Sequence, residues 1–215
     1  MPNKTETPAQ PRLPGRKAQA ARNDGLILEA ARAVFLDDPG APIAAVATKA
    51  GVGISALYRR YPSKEVLLRT LCHEGLRRYN AEADAALEDS DGWRGFVGFL
   101  QRVVEADVHS LTVKLAGTFP PDESMLPDVT HSGEVSAELV RRAHASGRLR
   151  SDFGAQDLGL LLEACAAVTM PDPARTAQLR QRVLALLLDG MTADGELPGP
   201  PPADGEYAWR WEYRG

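Results

Sequence analysis

Apolar positions recur along this chain with the spacing of helices rather than strands. Ile27, Ala30, Ala31, Val34 and Phe35 fall at i, i+3, i+4, i+7 and i+8, one stripe of a helix that starts near Arg22 and stops before DDPGAP. Ile43, Val46, Ala47 and Ala50 form a second stripe, and Gly51 with Gly53 predicts a sharp turn after it. A short helix over Ile54 to Arg60 comes next, closed by Pro62, with Leu57 and Tyr61 inward and Ser55, Tyr58 and Arg59 sharing the outer face. Ser63 is placed to cap a long helix running to about Leu87 on the stripe Leu68, Leu71, Cys72, Gly75, Leu76 and Tyr79, with Glu65 in its first turn.

Beyond EDSDG, Trp93, Phe96, Val97, Leu100, Val103, Val104 and Val108 predict a fifth helix. GTFPPDESMLPDVTHSG, with its three prolines, reads as an irregular connection. Further helices are expected over about 134–146, ended by Gly147, then 155–169 and 174–190. The last two carry apolar residues on more than one face: Leu158, Leu161, Leu162 and Cys165 on one side of the first, Leu160, Ala164 and Ala167 on another. Such helices are covered on several sides, either at the centre of their own core or against a symmetry mate. On the second alternative Leu158, Leu161, Leu162, Leu184, Leu187 and Leu188 are the dimer-forming set. No convincing strand pattern precedes the extreme C-terminus, so the fold class is all-α with about nine helices.

Residues 1–20, rich in Pro, Gln, Arg and Ala, read as a flexible basic arm carrying Arg12, Arg16 and Lys17. Residues 21–68 make a three-helix head and residues 69–192 a helical body. Residues 193–215 begin as a Pro/Gly linker, for which disorder is the first expectation, and end with Tyr207, Trp209, Trp211 and Tyr213 at period two, which leaves docking or an extended strand as the alternative.

Charge sharpens this division. The formal net charge is -4, yet residues up to Arg78 carry 13 Lys+Arg against 7 Asp+Glu while the remainder carry 12 against 22. A basic module on an acidic body suits an anionic partner met by the module alone. No apolar run approaches the roughly 20 residues of a membrane span, and the start lacks the apolar block of a secretory signal, so the cytoplasm is expected. Cys72 and Cys165 sit in apolar helical patterns as buried residues, and the four histidines, His73, His109, His131 and His144, show no ligand spacing. No GxSxG, HExxH, P-loop or dinucleotide fingerprint occurs, which argues against an enzyme and implies no cofactor.

A helix, a glycine turn and a second helix with polar groups outward make a helix-turn-helix, whose second helix can enter the major groove. Ser55 can meet a base edge or phosphate, Ile54 a thymine methyl, and Tyr58, Arg59, Arg60 and Lys64 phosphate oxygens. The segment APIAAVATKAGVGISALYRRYPSKEVLL, with ILEAARAVF before it, resembles the DNA-binding signature of the TetR family of transcriptional regulators over residues 22–72; the later GRLRSDFGAQDLGLLL is similar more weakly. The resemblance implies a homodimer on a double-stranded operator of pseudo-twofold symmetry, acting as a repressor released by a small-molecule effector. It also implies a DNA-facing set in which Gly53, Ile54 and Ser55 begin the recognition helix, Tyr58, Arg60 and Lys64 meet phosphates, and Thr48 joins from the helix before. Ala56 departs from the threonine common at its place. For the effector, Trp93, Phe96, Phe99, Leu100, Val103, His109, Phe119, Met125, Leu139 and Cys165 are candidates to line a pocket, with plain core the alternative. A protein-interaction module with a non-functional helix-turn-helix is the competing reading.

Overall fold

A computed structural model describes residues 16–120, 122–203 and 205–212. Among these the chain forms nine α-helices and no strand. The first, α1 (Arg16–Asp37), begins earlier than its apolar stripe because Arg, Lys, Gln and Ala all propagate a helix well. The expected arm is therefore helical from Arg16, and its first fifteen residues lie outside the described ones. Pro42, extended at φ -71°, precedes α2 (Ile43–Ala50), and no side chain caps that helix. Gly51 ends it at φ 65°, donating its N–H to the carbonyls of Ala47 and Thr48, a conformation that strains any residue with a Cβ. Gly53, by contrast, has an ordinary φ of -66°, so the turn needs only one of the two expected glycines.

Helix α3 (Ile54–Arg60) comes next, then α4 (Lys64–Leu87), where the Ser63 hydroxyl accepts the Val66 N–H at 3.3 Å as the sequence predicts. The expected fifth helix is two. It stops as α5 (Gly92–Glu105), Asp107 turns the chain at φ 49°, ψ 39°, and α6 (Val108–Leu115) resumes. The break is imposed from outside the segment: the Asp107 carboxylate accepts from Arg180 at 2.7 Å and its carbonyl from Arg32. The long connection expected as irregular is largely helical as well. A 3₁₀ turn (Glu123–Met125) leads into α7 (Leu126–Ala145), whose Pro127 sits in the first turn, where a missing N–H costs nothing. Gly147 is left-handed at φ 72°, and α8 (Asp157–Ala167) and α9 (Pro173–Met191) complete the body.

Two apolar cores result, and α4 runs through both. The first gathers Phe35, Leu57, Leu67, Leu68, Leu71 and Cys72 and extends to Leu111 and Leu115 of α6. The second gathers Phe96, Phe99, Leu100, Leu139 and Leu184 from α5, α7 and α9 with residues of α8. The boundary expected between residues 68 and 69 thus falls inside α4, with the head's core continuing past it. Polar ties hold α4 against the connection and α7: Arg69–Asp122 at 3.0 Å, His73–Asp128 at 2.6 Å, Arg77–Asp128 at 3.2 Å, and Tyr79 Oη to Ser136 Oγ at 2.8 Å. No described helix is long and apolar enough to cross a membrane.

Candidate DNA interface and ligand cavity

Helix α3 turns one face into the first core through Leu57, fully buried, with Tyr61 just beyond its end. The opposite face is bare. Ile54 is 41% and Tyr58 46% exposed, Ser55 and Arg59 are exposed beside them, and none of the last three has a side-chain partner among the described residues. A Cβ on Gly53 would meet nothing within 4 Å, so the start of α3 is open to close approach from outside. Thr48, exposed on α2, donates its hydroxyl to the Ala44 carbonyl at 3.1 Å, and Lys49 beside it is an exposed cation that the sequence pattern does not single out.

Two expected phosphate contacts are engaged inside the head instead. Arg60 Nε donates to both carboxylate oxygens of Asp24 on α1 at 2.9 Å, and its guanidinium lies 5.6 Å from the Tyr61 ring. Lys64 Nζ donates to the Pro39 carbonyl at 2.9 Å and sits 5.2 Å from the Phe35 ring, bracing the start of α4 against the α1–α2 connection.

A cavity of about 360 Å³ opens in the body, walled by α4, α6, α7 and α8. Gly75, Leu76 and Tyr79 of α4 form one side; His109 and Thr112 of α6 with Ala116 just past its end, Ser136 of α7 and Leu158, Leu162 and Glu163 of α8 form the others. Of the ten residues expected here only His109 lines it. Trp93, Phe96, Phe99, Leu100, Val103, Leu139 and Cys165 are consumed by the second core, and Phe119 and Met125 by the first. Large apolar side chains at helical spacing fill space; the cavity opens where smaller residues such as Gly75, Ala116, Ser136 and Gly159 leave it.

His109 is buried, and neither ring nitrogen has a hydrogen-bond partner. Burial pushes its imidazole down to about 4, with Asp107 opposing the shift and Arg180 adding to it. The ring is therefore neutral at pH 7. The unfolded chain binds a proton near 6.5 that the folded one refuses, so stability present above that value is lost progressively as pH falls from 6.5 toward about 4. Urea unfolding of His109→Gln across this window should show a shallower loss than the parent; parallel curves would refute the assignment.

The described residues beyond Met191 dock on the body. Arg150, paired with Asp152, donates to the Gly195 carbonyl at 2.8 Å, and Asp152 accepts the Leu197 N–H at 2.7 Å. Pro201 lies against Gly154, and a 3₁₀ turn (Ala208–Trp211) brings Tyr207 and Arg210 to the cavity mouth, where Arg210 pairs with Glu163. This replaces both the expected disorder and the expected extended strand over the described part; Tyr213 lies outside the described residues.

The expected dimer leucines also move. Leu158, Leu161, Leu162 and Leu184 are buried within the single chain, and Leu187 and Leu188 pack half-buried on its core. What α8 and α9 leave outward is Leu160, 44% exposed, with Ala164 and Ala167, and Leu186, 63% exposed.

Comparison with known proteins agrees with this arrangement. Residues 27–71 match the family described as bacterial regulatory proteins, tetR family, and residues 93–193 match the SbtR-like transcriptional regulator C-terminal domain, the two together spanning more than half of the chain. The HTH-type transcriptional repressor LfrR of Mycolicibacterium smegmatis is 32% identical over 115 residues, covering 53% of this chain and 59% of that protein. The chain thus matches less than two thirds of that relative's length. Among solved structures, the TetR-like regulator LfrR from Mycobacterium smegmatis in complex with proflavine superposes with a TM-score of 0.58 at 23% identity, over 84% of this chain and 99% of that one. A TetR transcriptional regulator from Streptomyces coelicolor gives 0.57 at 23% over 80% and 99%. An ArpA-like gamma-butyrolactone receptor gives 0.62 at 17% over 81% and 90%.

Proposed function

The chain belongs to the TetR family of bacterial transcriptional regulators, and from that premise we propose that it is a cytoplasmic repressor that binds a pseudo-palindromic operator as a homodimer and leaves it when a small organic effector fills the body cavity. It works by binding alone, as a switch rather than an enzyme. One observation carries the reading: α4 begins in the head, directly after the outward face of α3, and its middle forms a wall of the cavity. An occupant that shifts Gly75, Leu76 or Tyr79 tilts the same rigid rod that orients Ile54, Ser55 and Tyr58. A volume of about 360 Å³ suits a small organic ligand, and the relative LfrR was solved with proflavine.

On DNA, Ile54 and Ser55 read base edges, while Tyr58, Arg59 and Lys49 supply polar or charged contacts to the backbone. Arg60 and Lys64 serve the head's internal geometry, through Asp24 and Pro39. The dimer forms across the outward face of α8 and α9 through Leu160 and Leu186, placing two heads on half-sites about one or more helical turns apart.

Selection of bound sequences from a random library tests the proposal. The parent should enrich a palindrome, and Ser55→Ala should change the preference at one position of each half-site, by about 1–3 kcal/mol per altered base pair. Lys49→Ala should instead weaken all sequences alike and reduce the salt slope by about one. No enrichment by the parent would favour a protein-interaction module whose helix-turn-helix is idle.

A further inference from the structure

The mouth of the cavity is already occupied by the chain itself. Arg210 reaches Glu163 on α8, its guanidinium lies 4.4 Å from the Tyr207 ring and 5.5 Å from the Trp209 ring, and Tyr207 and Arg210 both belong to the cavity wall. The contact extends to the backbone: a Cβ on Gly117, itself at φ 76°, would lie 2.8 Å from the Arg210 carbonyl and 3.3 Å from that of Glu212. Upstream, among the described residues, the strap is pinned through the Arg150–Asp152 pair and Pro201 on Gly154. The family description that covers the body ends at residue 193, before this segment begins.

The charge inside is equally informative. Among the described lining residues Glu163 and Arg210 alone carry formal charge, His109 being neutral; the rest are apolar or neutral polar groups. Lifting the strap therefore leaves one carboxylate unpaired at the edge of a largely apolar space. Whatever replaces Arg210 must restore that pairing or leave the carboxylate poorly solvated.

We infer that residues 205–212 are a tethered competitor for the effector site, and that the effector is an organic cation whose charged end takes the place of Arg210 on Glu163 while its apolar body fills the space between α4, α6 and α8. The inference rests on the reading of this cavity as the effector site. The strap sets the threshold of the response: an effector binds only to the fraction of molecules with the mouth open, so its apparent affinity falls by that fraction. A neutral or anionic compound of equal size gains nothing from displacing Arg210 and loses the existing pair.

Proflavine, a planar aromatic cation, is the probe, titrated by fluorescence into the full-length protein and two variants. Arg210→Ala should bind it roughly two- to fivefold more tightly than the parent, the range expected from removing one partly exposed ion pair that competes with it. On the Arg210→Ala background, where no strap cation competes for the carboxylate, adding Glu163→Gln should weaken binding. Hydrogen exchange should show the amides of residues 205–212 speeding up when proflavine binds. Equal or weaker binding by Arg210→Ala, no loss when Glu163→Gln is added to Arg210→Ala, no proflavine bound by any form, or no change in exchange over 205–212 would each overturn the inference. Operator release is measured separately: proflavine that binds and frees the strap yet leaves the protein on DNA supports the competition and counts against the switch alone.

Discussion

Leu160→Glu should convert the protein to a monomer and lower its operator affinity by about 10²- to 10⁴-fold, the gain that comes from making a second binding event intramolecular. Leu160 is 44% exposed on α8, with Ala164 and Ala167 continuing the outward stripe, so the single chain loses little by the change. On the proposed twofold interface, however, a carboxylate there is placed near its own copy, which adds like-charge repulsion to the loss of apolar contact. Sedimentation should report half the parent mass, with thermal unfolding of the isolated chain otherwise ordinary. The same carboxylate at Thr130, exposed on α7, should change neither quantity. A Leu160→Glu protein that remains dimeric would remove this face from consideration, and one that becomes monomeric yet holds its operator at full strength would remove the need for a dimer.

Asp107→Ala should cost about 3 kcal/mol of stability, the lower end of the range for stripping the partner from a buried charge. The Arg180 side chain is only 8% exposed while Asp107 is 29%, so the loss falls mainly on the arginine, which keeps the Val168 and Ala166 carbonyls but no anion. Alanine at φ 49° adds about 1 kcal/mol of left-handed strain that asparagine largely escapes. Thermal unfolding should show a drop of roughly 8–16 °C for alanine, the two costs together, and a smaller one for Asp107→Asn. Combining Asp107→Asn with Arg180→Leu should recover much of the loss, because an apolar side chain of similar bulk needs no counter-ion. If the double variant is no better than Asp107→Asn alone, the stranded charge is not the cause.

How far the sequence can be read depends on how far away each partner lies. The helix-turn-helix is written locally: the stripe from Ile43 to Ala50, the left-handed Gly51, the inward Leu57 and the Ser63 cap all act within a few residues of one another. Local pattern does not show that Arg60 and Lys64 already have partners within the head, because Asp24 and Pro39 are 36 and 25 residues distant. The break at Asp107 is likewise fixed by Arg32 and Arg180, while the apolar repeat runs on through Val104 and Val108 as though nothing intervened. The cavity is the least legible feature. The residues most conspicuous in the pattern, Phe96, Phe99 and Leu139, are conspicuous because they fill the core. Gly75, Ser136 and Glu163 define the open space by being small or polar where a filling residue would be expected. The carboxylate of Glu163 in the middle of the apolar run LGLLLEACAA is the one local signal of it.

Sharing a helix between two cores also limits how this protein can be recombined. A DNA-reading module cut at residue 68 would lose Leu71, Cys72, Leu111, Leu115 and Phe119, which complete the packing around Phe35 and Leu57. A chimera that grafts this reader onto a foreign sensor must therefore carry α4 and the α6 surface with it.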